Sequence, residues 1–199
     1  MKTYVATKSA GKLPELRALF AGSDLDLETY AAYEDVAEGE ESYAANALLK
    51  VRALRRQLQA AGIAGGVLAD DSGIEVDALA GRPGVLSARY AGEDTPWPER
   101  LDAMLSDIRG LPPERRGARF VCVMAFCDPD GVETLATGTV AGRIADAPRG
   151  ERGFGYDPIF VNPSDGRTFA ELSAGEKNAI SHRRRAADAL LARLRGQHV

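Results

Sequence analysis

Val67-Leu68-Ala69-Asp70-Asp71-Ser72-Gly73 decides the fold. A short apolar run delivers two adjacent carboxylates and then meets Ser-Gly, the pattern of a buried strand that ends at a site. Successive side chains on a strand point to opposite faces, so Asp70 and Asp71 cannot serve one pocket while the chain stays extended. One of them is left to hold a metal or a water. The plain alternative is a surface turn, because Asp and Ser favour turns through local hydrogen bonds. The remainder of the chain discriminates by supplying complementary groups.

Upstream, Thr3 to Thr7 reads as a first strand, followed by Thr7-Lys8-Ser9-Ala10-Gly11-Lys12 and a helix with Ser9 as its N-cap. Pro14 is tolerated in the first turn, where amides have no intrahelical partner. Leu13, Leu16 and Phe20 make the apolar stripe. Strand, small-residue loop with lysines, then helix is an arrangement that seats phosphate on helix-end amides. It is not a Walker A loop, since Leu13 stands where Ser or Thr is needed. Leu25 to Tyr30 reads as a second strand. The acidic loop Glu34 to Glu41 leads into a long helix capped by Ser42, with Ala44, Leu48, Val51, Leu54 and Leu58 inward and Gly62 as its stop. Asn46 and Lys50 lie one turn apart on it, either as a structural pair or facing a site.

Downstream, Gly81-Arg82-Pro83-Gly84 marks a tight turn, and Thr95-Pro96 opens a helix with proline at its first position. Leu101, Met104, Leu105 and Ile108 form that helix's inner face. Ala118 to Cys127 is the clearest strand, and Asp128-Pro129-Asp130-Gly131 turns it into a partner running from Glu133 to Ile144. The sheet is therefore mixed. In Gly153-Phe154-Gly155-Tyr156-Asp157-Pro158, glycines allow close backbone approach while two rings are presented to a ligand. Ser173-Ala174-Gly175-Glu176 is a capping box. It opens the last helix, with Ile180, Ala187, Leu191 and Leu194 inward and Lys177, Ser181, His182, Arg183, Arg184 and Arg185 early in it. Positive charge at a helix start opposes the macrodipole and asks for something anionic nearby.

The whole chain bounds the choice. Its 199 residues suffice for a real core, in one domain with or without two lobes. A net charge of −4 argues against a binder of nucleic acid that relies on bulk positive charge. No apolar run is long enough to span a bilayer, and the N-terminal apolar stretch is too short for a signal peptide, so the expected location is the cytoplasm. Cys122 and Cys127 sit in an apolar run without metal-site spacing and read as reduced core residues.

The pieces form a set. Asp71 and an acid of the loop around Glu38 suit a hard divalent cation, which takes one or two carboxylates, waters and substrate phosphate oxygens. Lys12 and Lys177 suit phosphate, and the aromatic loop suits a base. Together they point to a nucleoside triphosphate attacked by water.

Thr7 to Lys12, Ala69 to Gly73, Gly81 to Gly84, Ser87-Ala88-Arg89-Tyr90, Gly153 to Pro158 and Glu176 to Arg183 resemble, in order, the inosine triphosphate pyrophosphatase family. The resemblance implies an α/β fold with an elongated mixed β-sheet and helices on both sides, as one domain over residues 1–199 with two lobes and a cleft between them. It implies a homodimer that hydrolyses ITP, dITP and XTP to monophosphate and pyrophosphate with Mg2+. It gives Asp71 the roles of general base and metal ligand and Glu38 that of second ligand, with Glu40 and Glu41 as alternatives. Thr7, Lys8, Ser9, Ala10, Gly11, Lys12 and Lys177 would hold phosphates. Ser72 would touch substrate beside the metal. Phe154, Gly155, Tyr156, Asp157, His182 and Arg183 would hold the base. Arginine donates hydrogen bonds and accepts none, so Arg183 at the purine 6-position would favour a carbonyl over an amino group. The chain departs from the family's pattern at Ser9, usually Asn, and at Ala45, usually Glu. The rivals are a nucleic-acid-binding module built on His182 to Arg185 and a pyrophosphatase for modified pyrimidine triphosphates.

Overall fold

The computed structural model describes residues 1–9 and 11–196. In chain order the elements are β1 (Lys2–Val5), α1 (Lys12–Leu19), β2 (Asp26–Thr29), α2 (Tyr43–Ala60), β3 (Gly66–Val76), α3 (Trp97–Asp107), β4 (Gly117–Cys127), β5 (Glu133–Ile144), β6 (Phe160–Val161), α4 (Ala174–Ile180) and α5 (His182–Gly196). Short 3-10 turns join several of them. The strands form one sheet in the order β2-β1-β3-β4-β5-β6. β1 pairs parallel with both β2 and β3, and β5 pairs antiparallel with β6, so the α/β class and the mixed sheet are as expected.

The chain divides into two compact units. The first comprises Met1–Asp71, Cys122–Gly138 and the segment from Arg183 on; the second comprises Ser72–Val121 and Thr139–His182. The division falls inside β3, between Asp71 and Ser72. The strand thus does not end at Ser72-Gly73 as the turn-forming residues suggest. It continues to Val76, its buried side chains including Ile74 and Val76.

Unit 1 buries apolar side chains on both faces of the sheet. On one face Val5 and Leu68 pack with Leu16 and Phe20 of the α1 segment and Ala187 and Leu190 of α5. On the other, Val67 and Ala69 pack with Val51, Leu54 and Leu58 of α2. The alternation of β3 therefore carries through to Asp70 and Asp71, which leave the strand on opposite faces. Cys122 and Cys127 are free and buried in these layers. Unit 2 has its own core, where Phe120 meets Phe160 and Phe169 among Met104, Ile108 and Ile159.

Three helix boundaries differ from the sequence reading. α1 has Gly11, not Ser9, at its N-cap, without a side-chain cap, while Ser9 donates its backbone N–H to Thr7 Oγ1 at 3.1 Å. Pro96 is the N-cap of α3 rather than its first helical residue. The last helix is two: the capping box of Ser173 and Glu176 opens α4, the chain becomes extended at Ser181 (ψ 159°), and α5 begins at His182. Lys177 is consequently in the last turn of α4, where the macrodipole favours a cation. Ser42 caps α2 as expected, its side chain accepting from the Ala45 N–H at 3.1 Å. No helix among the described residues is long and apolar enough to cross a membrane.

Candidate active site

Unit 1 gathers its charges at the end of its portion of β3. On the α2 side, Asp71 is 5% exposed and is met by two residues one helical turn apart. Asn46 Nδ2 donates to Asp71 Oδ2 at 3.2 Å, and Lys50 Nζ donates to Asp71 Oδ1 at 3.1 Å. The same ammonium lies 2.8 Å from Glu38 Oε1 and 2.8 Å from the Asp70 carbonyl. Asn46 also closes the acidic loop, accepting from the Gly39 N–H at 2.9 Å and donating to the Gly39 carbonyl at 3.1 Å. Asn46 and Lys50 thus both turn to Asp71. Glu38 is drawn in with them, whereas Glu40 and Glu41 are exposed. Burial raises the proton affinity of Asp71, and the neighbouring Glu38 charge adds to the rise; Lys50 and Asn46 oppose it without cancelling it.

On the opposite face Asp70 is buried and fully committed. Lys12 Nζ donates to Oδ1 at 3.0 Å and Arg183 Nε to Oδ2 at 3.2 Å. Burial alone would raise its pKa. The charges of Lys12, Arg183 and Lys50 outweigh that and hold the carboxyl well below the usual range. Arg183 is 3% exposed, and its Nη1 lies 3.8 Å from Glu15 of α1. Its guanidinium is therefore part of the interior network of unit 1, a different occupation from the base contact that the sequence reading gave it. The basic run also forms no continuous exposed stripe, since Arg184 pairs with Asp188 at 3.0 Å. Lys12 opens α1 beside the exposed Lys8, Ser9 and Gly11, with Thr7 half-buried; Ala10 lies outside the described residues.

Unit 2 supplies the aromatic loop. Asp157 is buried and organises it, Oδ2 accepting from the Phe154 N–H at 2.9 Å and from Lys177 Nζ at 2.6 Å. The ammonium of Lys177 lies 4.7 Å from the centre of the Phe154 ring. Phe154 is 39% exposed, as a ring presented to a ligand must be. Tyr156 is not so presented. Its ring is buried, its hydroxyl donates to the Ser87 carbonyl at 2.9 Å and its own carbonyl accepts from the Ile159 N–H at 3.0 Å, which leaves the half-buried Gly155 beside Phe154 as the accessible part of the pattern. His182 stacks on Phe120, ring centres 4.7 Å apart, and Ser72 is half-buried on β3.

Against this geometry, a family model matches residues 3–193, and its description is the Ham1 family. The chain belongs to the Ham1 family. The dITP/XTP pyrophosphatase of Geobacillus kaustophilus is 47% identical over 185 residues, covering 92% of this chain and 88% of its own length. That of Nitratidesulfovibrio vulgaris is 46% identical over 196 residues, covering 94% and 92%. Among solved structures, the Staphylococcus aureus Ham1 protein superposes with a TM-score of 0.84 at 38% identity, covering 99% of this chain and 100% of that one. A nucleoside-triphosphatase, dITP/XTP pyrophosphatase, from Mycobacterium abscessus superposes with a TM-score of 0.72 at 43% identity, covering 96% and 99%.

The donor set can also be tested for a metal. Among the described residues no three His, Cys, Asp or Glu side chains group as a metal cage. The carboxylates of Asp71 and Glu38 do converge on one positive atom, Lys50 Nζ, at 3.1 and 2.8 Å. They are hard-oxygen donors of the type that magnesium takes beside water and phosphate, held together here by an ammonium. Glu15 and the pair Trp97 and Arg100 are the features that sequence reasoning passed over. The first gave no signal beyond a charged residue on a helix; the second showed only a lone tryptophan between prolines.

Proposed function

We propose that this Ham1-family chain hydrolyses dITP, XTP and ITP to the nucleoside monophosphate and pyrophosphate. The observation that carries the reading is the split of the aspartate pair: Asp70 is sealed by two cations, while Asp71 keeps a raised proton affinity beside a second carboxylate. A carboxylate of raised pKa is the better proton acceptor from water near neutral pH. The names of the relatives support the same chemistry.

In this mechanism Asp71 takes a proton from the attacking water, and Asn46 and Lys50 fix the orientation of its carboxylate. The water oxygen forms the new bond to the α-phosphorus, and the bond to the bridging oxygen of the departing pyrophosphate breaks. Lys12 and the Thr7 to Gly11 loop bind the phosphates as donors and point charge, offsetting charge that develops on the leaving group. Asp71 and Glu38 would hold Mg2+, which supplies electrostatic stabilisation to the phosphate oxygens when bound. Phe154, the Gly155 backbone, Asp157, Lys177 and His182 are assigned to the base, Tyr156 to holding their loop from inside through Ser87, Ser72 to contact with the substrate beside the metal, and Arg183 to holding Asp70. Lys177 thereby moves from the phosphate role suggested by sequence to the base, because it sits against Asp157 and Phe154. The resemblance also carries a homodimer acting on the cytoplasmic nucleotide pool; sedimentation tests the dimer.

Pyrophosphate release from ITP, XTP, dITP, GTP, ATP and modified pyrimidine triphosphates, with magnesium and with chelator, tests the proposal. Magnesium-dependent release confined to the first three is the expected result. Release from a pyrimidine would overturn the base assignment, and release from none would overturn the activity.

A further inference from the structure

Trp97, the single tryptophan of the chain, is the first residue of α3 and is 41% exposed. Its indole joins two things that the sequence keeps apart. One is Arg100, a turn further along the same helix, whose guanidinium carbon lies 5.0 Å from the ring centre. Arg100 is 3% exposed. Its Nη2 donates to the carbonyls of Thr95 at 2.7 Å and Gly92 at 3.0 Å, and its Nε and Nη1 have no hydrogen-bond partner among the described residues. Among the described residues no carboxylate pairs with it. The charge is answered by loop carbonyls and by the indole, a cation–π contact of the kind that strengthens when the cation is desolvated.

The other is the aromatic loop. Gly155 has φ +64°, and a Cβ placed there would lie 3.4–3.8 Å from three atoms of the indole, so the ring packs directly against that backbone. The indole also stands edge-on to Tyr156, centres 5.4 Å apart and planes at 86°. Tyr156 is pinned from inside by Ser87, and Phe154 and Lys177 are pinned by Asp157. Trp97 adds a wall from outside. Trp97 and Phe154 line the same open depression of about 420 Å³ in unit 2.

We infer that Trp97, braced by Arg100, is a positioning residue for the Gly153 to Asp157 loop, and through it for binding of the base. The second half rests on the function proposed above; the first does not. Two measurements separate them. Arg152 is exposed at the edge of the loop, so trypsin cleavage after it reads loop order without reference to activity. W97A is expected to speed that cleavage by about fivefold or more at a temperature where the protein stays folded, with W97F close to wild type. W97A is also expected to raise KM for dITP about tenfold with kcat within about twofold, again restored by W97F. Should W97A fail to fold, W97L keeps apolar bulk without the flat ring and takes its place. Wild-type cleavage in a folded W97A would overturn the inference. Faster cleavage with an unchanged KM would overturn the link to the base, and so would a loss of kcat, KM and stability together without rescue by W97F. Absence of hydrolysis by the wild type would remove the proposed function and leave the cleavage result to decide the loop.

Discussion

The two faces of β3 in unit 1 carry neighbouring residues of one chemical type and treat them oppositely. On the α1 and α5 side, Asp70 is buried, doubly paired and held far below the usual carboxylate pKa. On the α2 side, Asp71 is nearly as buried, yet it shares one lysine with a second carboxylate and its pKa goes up. Burial raises both. What differs is how many cations each carboxylate has and with whom it shares them. One face neutralises its aspartate with two cations, and the other leaves a carboxylate short of neutralisation, which is what a base or a metal ligand requires.

The largest effect that would break this contrast is D71N. It keeps the shape and one of the two acceptors that Asn46 and Lys50 use, but removes the proton acceptor. We expect kcat to fall by about 10³-fold, within the range of general-base contributions, with stability changed by about 1 kcal/mol or less. Pyrophosphate release and urea unfolding check the two halves, and wild-type turnover would remove Asp71 from the mechanism.

D70N should do the converse. It leaves Arg183 and Lys12 without their shared carboxylate, and breaking a buried pair costs about 3–5 kcal/mol. A sign argument sharpens the test. A depressed folded pKa means that the unfolded chain binds the proton more tightly, so Asp70 stabilises above the unfolded value of about 3.9 and loses that contribution as pH falls. Asp71, raised, contributes below its unfolded value and loses that as pH climbs through its folded one. Unfolding free energy measured below about pH 4 should therefore drop for the wild type and drop less steeply for D70N, whose remaining limb comes from Glu133, Asp165 and Glu176, also held below the usual range. An equal acid limb in both would refute the pairing.

In unit 2 one carboxylate does both jobs. Asp157 neutralises the buried Lys177 and fixes the Phe154 amide. D157N should raise KM by about 10–100-fold and also lower stability, where the two aspartates of β3 separate these effects. A variant that changed only one of the two would show that unit 2 divides the roles as well.

The part of this that local sequence determines was legible. Opposite faces for Asp70 and Asp71 follow from strand period alone, and the caps at Ser42 and at Ser173 with Glu176 follow from side chains bonding within three residues. What was not legible depends on distant partners. Arg183 finds Asp70 across 113 positions, and Tyr156 finds Ser87 across 69. Neither partner is marked in the chain, so a guanidinium and a phenol read as ligand contacts when they are interior ties. Ser72-Gly73 has turn chemistry, yet β3 runs on through it to Val76. The break at Ser181 is hidden for the same reason, because the apolar spacing of α4 and α5 runs on as if the helix were continuous. There Ser181 is fully buried, and its amide bonds to the Lys177 carbonyl while the chain turns extended.

The smallest effect tests whether the Asp71 face is rigidly hung on α2. Asn46 and Lys50 are the fourth and eighth residues of that helix, whose N-cap Ser42 accepts from the Ala45 N–H. S42A leaves that amide to water and should cost about 1 kcal/mol in unfolding. If the cap merely adds stability, kcat stays at the wild-type value. If the first turn frays, Asn46 loses its grip on both Gly39 and Asp71, and kcat falls while KM for the base holds. Because the Asp70 side chain bonds to Lys12 and Arg183 and feels α2 only through the charge of Lys50, the acid limb of stability should shift little in either case. A shifted acid limb in S42A would mean that the two faces of β3 are coupled, and the division of labour between the aspartates would have to be redrawn.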